Sequence, residues 1–227
     1  ARDSGAVAMI VEDAAMMATV AAVRDDLPAL QDLWCIEAGG LDELVTAGAE
    51  VPDEVVLERR AATGRDDLAT IIYTSGTTGS PKGCMHSHRT IGHNVIASPL
   101  WANTSVADVT LGVVPMFHIT GMVFYAHVPA YLGCTVVLMP RWDRELAGLL
   151  ISRHRVTAWT NIPTMIIDLL ASPNFASFDL SSLRSISGGG AAMPAAIAER
   201  LKAQYGLDYA EGYGLTETSA PSHSNPP

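Results

Sequence analysis

Three glycines, several hydroxyls and one lysine stand close together in Tyr73-Thr-Ser-Gly-Thr-Thr-Gly-Ser-Pro-Lys-Gly83. Gly76, Gly79 and Gly83 let the backbone approach a ligand closely and take positive φ. Thr74, Ser75, Thr77, Thr78 and Ser80 add hydroxyls, and Lys82 adds a point charge. A nest of amides and hydroxyls beside a cation suits phosphate oxygens. The spacing is not that of a Walker A loop. That pattern needs Gly at 81 and Ser or Thr at 83, where this chain has Pro81 and Gly83. A flexible Ser/Gly linker would need neither an apolar strand directly before it nor the Pro-Lys-Gly exit.

Three further segments could do chemistry. Val114-Pro-Met-Phe-His-Ile-Thr-Gly121 holds His118, which taken alone reads as a satisfied core histidine. Ser187-Gly-Gly-Gly-Ala-Ala-Met-Pro194 ends a strand in glycines, leaving a flat backbone surface on which a planar ring can lie. Glu211-Gly-Tyr-Gly-Leu-Thr-Glu217 combines the aromatic face of Tyr213, the hydroxyl of Thr216 and the hard carboxylate oxygens of Glu217. Cys84, His86, His88 and His93 invite a zinc reading, but their spacing matches no standard ligand set. On a helix they would lie around it rather than on one face.

These groups need elements to hold them. Ala8–Val11 and Leu33–Ile36 read as short strands, with a helix between them capped by Asp13 and stopped at Leu27-Pro28. Residues 46–66 read as a connecting arm around one short helix. Leu68–Tyr73 is a strand before the glycine-rich loop, and a helix is expected from about His86 to Ala97. Strands are expected at Val109–Val114, Thr135–Met139, Val156–Thr160, Leu183–Ser187 and Tyr209–Glu211. Helices fall near 119–131, from Asp143 to about His154, from Pro163, and from Pro194 to just before Gly206. This alternation predicts an α/β fold with layered, mostly parallel β-sheets flanked by helices.

Composition excludes several classes. The 227 residues are 48% hydrophobic and 17% charged, which fits a globular protein. Net charge is −10 without a basic run, which argues against nucleic acid as a partner. Cys35, Cys84 and Cys134 are far apart and form no disulfide framework, so a reducing, cytoplasmic setting is expected. The first residues lack the regions of a signal peptide. Residues 109–140 carry no Asp, Glu, Lys or Arg, but Pro115, Gly121, Pro129 and Gly133 interrupt the run. It therefore reads as strand, helix and strand rather than as a membrane span of about 20 apolar residues.

Tyr73–Gly83 resembles the phosphate-loop signature of the adenylate-forming superfamily: acyl-CoA synthetases, adenylation domains of peptide synthetases and firefly-type luciferases. The three later segments resemble its other motifs, most like a fatty-acid-type acyl-CoA ligase. The resemblance implies ATP or AMP binding by Thr74, Ser75, Gly76, Thr77, Thr78, Gly79 and Lys82. Gly189, Gly190 and Ala191 would lie against the adenine, with Glu211, Gly212 and Tyr213 around it and Glu211 accepting from the adenine amino group. His118 would stand at the carboxylate side, Thr216 at the α-phosphate, and Glu217 would ligate Mg²⁺. Peptide-synthetase domains have an aspartate in place of His118, so amino-acid activation is disfavoured. Trp159-Thr-Asn-Ile-Pro-Thr-Met165 is loosely similar to the acyl-pocket segment, with Trp159 equally readable as core.

The implied reaction activates a carboxylic acid, a fatty acid by closest resemblance, to an acyl-adenylate and then to a thioester of coenzyme A. A luciferase-like or aryl-acid ligase and a non-catalytic nucleotide-binding remnant are the alternatives. Family members are more than twice as long. Residues 1–66 are expected to be the end of a first subdomain and connecting arm, and 67–227 a nucleotide- and acyl-binding subdomain. The small C-terminal domain, with the lysine that bridges carboxylate and α-phosphate, is expected to be absent, leaving this piece little activity alone. Small-molecule acid, ATP and coenzyme A are the implied partners, and a homodimer is compatible with the resemblance.

Overall fold

The computed structural model describes residues 1–75 and 79–225. Two compact units emerge, Ala1–Gly64 and Arg65–Pro227. In the first, β1 (Ala8–Val11) and β2 (Asp32–Cys35) pair in parallel, from Ala8↔Asp32 to Val11↔Cys35. Between them runs α1 (Ala14–Ala21), whose first turn is closed by Asp13 accepting from the Met16 N–H. It stops before Leu27-Pro28 because Val23 has already left helical geometry, at φ −120° and ψ 17°. Two helices follow where one was expected, α2 (Gly40–Gly48) and α3 (Asp53–Ala62). The start of α2 carries no capping side chain, only Gly39 at φ 85°, so the usual sequence signal is missing. A Cβ on Gly40 would lie 2.6 Å from the Cys35 carbonyl oxygen, which shows how closely α2 seats on β2.

The second unit opens with β3 (Leu68–Thr74) and β4 (Lys82–Ser87), an antiparallel hairpin with Thr74 opposite Lys82 and Ile72 opposite Cys84. The glycine-rich loop therefore links two strands, not the strand and helix expected. Buried His86 and exposed Met85 point to opposite faces of β4, and each residue from Lys82 to Ser87 is paired with β3, which a helix could not do. Only at Ser87, accepting from the Thr90 N–H, does α4 (His88–Ala102) begin. Asn103 closes it in left-handed geometry.

The remaining chain lays down β5 (Val109–Gly112), a helical stretch, β6 (Thr135–Leu138), α7 (Arg144–His154), β7 (Ala158–Asn161) and α8 (Pro163–Leu170). The stretch runs from α5 (Ile119–Gly121) through a π-helical turn at Met122–His127 into α6 (Val128–Leu132), and is counted here before α7. Then come β8 (Ser185–Gly188), α9 (Ala195–Tyr205), β9 (Tyr209–Leu215) and β10 (Ala220–Ser224). The charge-free 109–140 segment is thus strand, helix and strand. Among the described residues no helix is long and apolar enough to cross a membrane. The strands form one sheet in the order β10-β9-β8-β7-β5-β6, parallel except for β10. The fold is α/β.

Short strands of this kind are held by burial more than by their ladders. Leu111, Ile151, Val156, Trp159 and Ile186 are almost wholly enclosed in one cluster. Each such side chain contributes about 1.5–3 kcal/mol, against a net of about 1 kcal/mol for a backbone hydrogen bond. Ile91, Val95, Ile119, Val123, Val128 and Ala220 form a second cluster that joins α4 to the 119–132 helix and β10.

At the foot of the sheet, just before β5, the Asp108 carboxylate is buried. It accepts from Thr157 Oγ1 at 2.6 Å, from the Ser105 N–H at 2.8 Å and from the Arg184 guanidinium. Burial alone would raise its pKa, but these donors outweigh it and hold the carboxyl below the usual aspartate range. The clamp ties together the chain entering β5, β7 and β8.

Candidate active site

In an open parallel sheet ligands bind beyond the carboxyl ends of the strands, where the strand order reverses. That reversal lies between β5 and β7. A broad cleft opens over it, and its walls include Thr74 and Lys82, His118, Gly188–Gly190, and Gly212–Glu217. Four segments that are far apart in sequence meet there.

Thr74 and Lys82 face each other at the mouth of the hairpin. Ser75 and Gly79 lie just beyond it, exposed, with Gly79 at φ 83°. Gly76, Thr77 and Thr78 lie outside the described residues.

The glycines after β8 are required sterically. A Cβ on Gly188 would lie 2.1 Å from the Asn161 carbonyl oxygen and 2.2 Å from the Tyr209 hydroxyl. A Cβ on Gly189 would lie 2.2 Å from the Gly212 carbonyl oxygen, and Gly190 sits at φ 81°. The backbone of this loop is therefore pressed against β9, leaving a smooth wall. Ala191 and Glu211 do not line the cleft. The Glu211 carboxylate instead accepts from the Met193 N–H at 2.5 Å.

Below this wall two phenols act as fixed donors. Tyr125 donates to the Thr160 carbonyl, and Tyr209 donates to Asn161 Oδ1 at 3.4 Å. Burial pushes both phenols up, and the charge of Glu211 adds to the rise at Tyr209, so both stay neutral. Tyr125 and Tyr209 did not stand out in the sequence, and Asn161 did so only as part of the Trp159–Met165 segment, because their partners come from other strands.

His118 is exposed at the start of α5, its Nδ1 accepting from the Thr120 N–H at 3.2 Å. That bond places the ring proton on Nε2. Gly121 permits the turn before it: a Cβ there would lie 2.1 Å from the Pro115 carbonyl oxygen. Phe117, Thr120 and Phe124 extend the cleft beside His118, and Ile119 behind them is buried in the second core cluster. Trp159, by contrast, is core, stacked on Trp142 at 5.8 Å.

β9 runs on past Glu211 to Leu215, beyond the expected end, and β10 returns antiparallel to it. The Gly-Tyr-Gly segment is thus part of the strand. Tyr213 is 60% exposed on it, beside His223. Thr216–Thr218 form a single tight turn between the strands. Glu217 is exposed there and makes no hydrogen bond or ion pair among the described residues. Its negative charge is felt by Cys84 and His86 of the hairpin, so hairpin and turn are neighbours.

Free carboxylate oxygens beside a threonine hydroxyl form a hard donor set. Among the described residues no cluster of three or more His, Cys, Asp or Glu could hold a metal by itself. Mg²⁺ needs no such cage, since it binds through one or two carboxylates and takes its other oxygens from water and substrate phosphates. The residues present fit that ion in company with a nucleotide.

Comparison with known proteins shows the family and the fold. The family described as AMP-binding enzyme matches over residues 1–227. A long-chain-fatty-acid–CoA ligase of Bacillus subtilis (strain 168) is 35% identical over 161 residues, 70% of this chain and 29% of that protein. A feruloyl-CoA synthase of Amycolatopsis sp is 34% identical over 219 residues, 96% of this chain and 41% of that protein. The inhibitor-bound N-terminal domain of FACL13 from Mycobacterium tuberculosis superposes with a TM-score of 0.86 at 28% identity, over 98% of this chain and 54% of that one. ATP-bound MatB from Rhodopseudomonas palustris gives 0.81 at 25% identity, over 99% and 43%. The chain therefore spans less than half of the curated relatives described here.

Proposed function

Since the chain belongs to the AMP-binding enzyme family, we propose that its protein activates a carboxylic acid with ATP and passes the acyl group to coenzyme A. The carboxylate oxygen attacks the α-phosphorus of ATP, and the bond to pyrophosphate breaks. The thiol sulfur of coenzyme A then attacks the acyl carbon, AMP leaves, and the thiol proton passes to solvent. The observation that carries this reading is the meeting, in one cleft, of the Lys82 hairpin mouth, the glycine wall of β8–β9 and the Thr216–Glu217 turn.

Each part has a task set by its chemistry. Lys82 and the hydroxyls of the glycine-rich loop, Thr74 to Gly79, hold the departing phosphates. Gly189 and Gly190 offer a flat face to the adenine and Tyr213 an aromatic one. Thr216 donates to the α-phosphate, and Glu217 holds Mg²⁺, which when bound neutralises phosphate charge. Little covalent chemistry falls to the protein in the first step, so positioning and charge neutralisation carry it. His118 lies at the acid side of the cleft, where its Nε2–H can donate to the substrate carboxylate.

The acid we favour is a fatty acid, supported by the apolar side chains of Phe117 and Phe124 along the cleft and by the long-chain relative. An aryl acid is the second reading, supported by the feruloyl-CoA synthase, which matches nearly the whole chain. A panel of fatty and aryl acids, scored by pyrophosphate release with the complete protein, separates the two. A hydroxamate trap reports the acyl-adenylate directly. No trapped adduct with any acid, in a folded protein that binds ATP, would favour a non-catalytic nucleotide-binding module instead.

A further inference from the structure

The Thr216–Thr218 turn ends in a costly conformation. Ser219 stands at φ 60° and Ala220 at φ 87°, both in the left-handed region that residues with a Cβ avoid. Bonds hold it there from two sides. Within the turn, Thr218 Oγ1 accepts from the Leu215 N–H at 2.9 Å and lies 2.7 Å from the Ala220 carbonyl oxygen. Across the turn, a Cβ on Gly214 would lie 2.2 Å from that same oxygen, so the strand opposite is fitted to it.

The outer side is held by the chain that follows the glycine-rich loop. Asn94 Nδ2, on α4, donates to the carbonyls of Thr218 and Ser219 at 3.0 and 2.7 Å. His86 Nδ1, on β4, meets Ser219 Oγ at 2.8 Å, and the ring is buried. Its Nε2 has no hydrogen-bond partner among the described residues. A histidine kept only as filler would be a poor choice, since an apolar side chain of similar volume would leave no ring nitrogen unpaired. The bond to Ser219 is what the imidazole contributes that leucine could not.

We infer that His86 is a positioning residue, which with Asn94 locks the Thr216–Ala220 turn to the Lys82 hairpin and thereby sets where Glu217 stands relative to the phosphates. This rests on the reading of Glu217 given above. Two elements that grip the same nucleotide must keep a fixed separation, and groups behind a metal-ligating carboxylate change metal affinity when removed. His86 does this through Ser219, touching neither nucleotide nor metal.

The test uses the complete protein, with pyrophosphate release titrated with Mg²⁺ and with ATP, and calorimetric binding of ATP at low and at saturating Mg²⁺ as a readout apart from turnover. His86→Leu and Ser219→Ala should each raise the Mg²⁺ concentration for half-maximal rate about tenfold, with kcat at saturation changed much less. The double variant should be no worse than either alone, because both remove one bond. His86→Asn, which returns a polar atom near the Nδ1 position, should recover part of the loss. Ser219→Ala removes only a hydroxyl, so it remains informative if His86→Leu does not fold. Mg²⁺ and ATP dependences unchanged within twofold in folded Ser219→Ala, where Glu217→Ala is impaired, overturn the inference alone. Unchanged dependences in Glu217→Ala overturn the reading beneath it, and the inference with it.

Discussion

The carboxylate of Glu211 and the backbone N–H of Met193 are joined at 2.5 Å, fastening β9 to the loop that leaves β8. The bond spans the glycine wall from outside, so Glu211 shapes that surface as well as standing near it. Glu211→Ala should cost about 1.5–3 kcal/mol of stability, the range for a hydrogen bond to a charged group. KM for ATP should rise severalfold, and Glu211→Gln should be milder because it can still accept. Thermal unfolding and an ATP titration check both.

Gly189→Ala tests the wall itself. The new methyl would fall 2.2 Å from the Gly212 carbonyl oxygen, which is backbone and cannot step aside. The β8–β9 approach must open, and overpacking of this kind costs about 1–3 kcal/mol. ATP use should fall much further than stability does. Equal ATP kinetics in a stable Gly189→Ala protein would remove these glycines from the nucleotide site.

Lys82→Ala and Glu217→Ala should both weaken ATP use, by about 10²-fold in kcat/KM if each removes one preorganised charge contact. Both side chains lie at the surface of the cleft, so folding should be unaffected. Unchanged ATP kinetics for both variants would sink these assignments.

Asp108 should give the fold an acid-sensitive fastening at the foot of the sheet. Its carboxyl is held below the ordinary aspartate value, so its contribution is fully present above about pH 4 and lost as pH falls through the lowered value. Asp108→Ala should cost about 1.5–3 kcal/mol near neutral pH, the range for hydrogen bonds to a charged group, by leaving Arg184 and Thr157 without this partner. It should also flatten the acid limb of the stability curve. Chemical denaturation of both proteins between pH 3 and pH 7 decides this.

Much of this was legible in the sequence, for local reasons. Asp13 and Asp143 cap the helices they precede, and Gly206 closes α9 at φ 67°, because caps are set by neighbours in the chain. β4 and β10 were not legible. β4 is a short run with glycine and histidine in it, and its strand character comes from pairing with β3. β10 is Ala-Pro-Ser-His-Ser, polar and bulged, a sequence suited only to a sheet edge. The site motifs were readable as glycine, lysine and glutamate patterns. The groups that aim them, Asn94, His86 and Ser219, were not, since each finds its partner more than a hundred residues away.

That distance also has a meaning in time. The bond from His86 to Ser219 joins positions 133 residues apart. At a synthesis rate of about 5–20 residues per second, the hairpin is made on the order of ten seconds before the turn it grips. During that interval His86 and Asn94 have no turn to hold, and the part of the α4 face that Ala220 covers stays open. Ala220, which packs into that same cluster, arrives with the turn. Strands β9 and β10 therefore bring the turn and the last part of this apolar cover in one event, so a chain halted between β4 and β10 keeps an adhesive patch on α4.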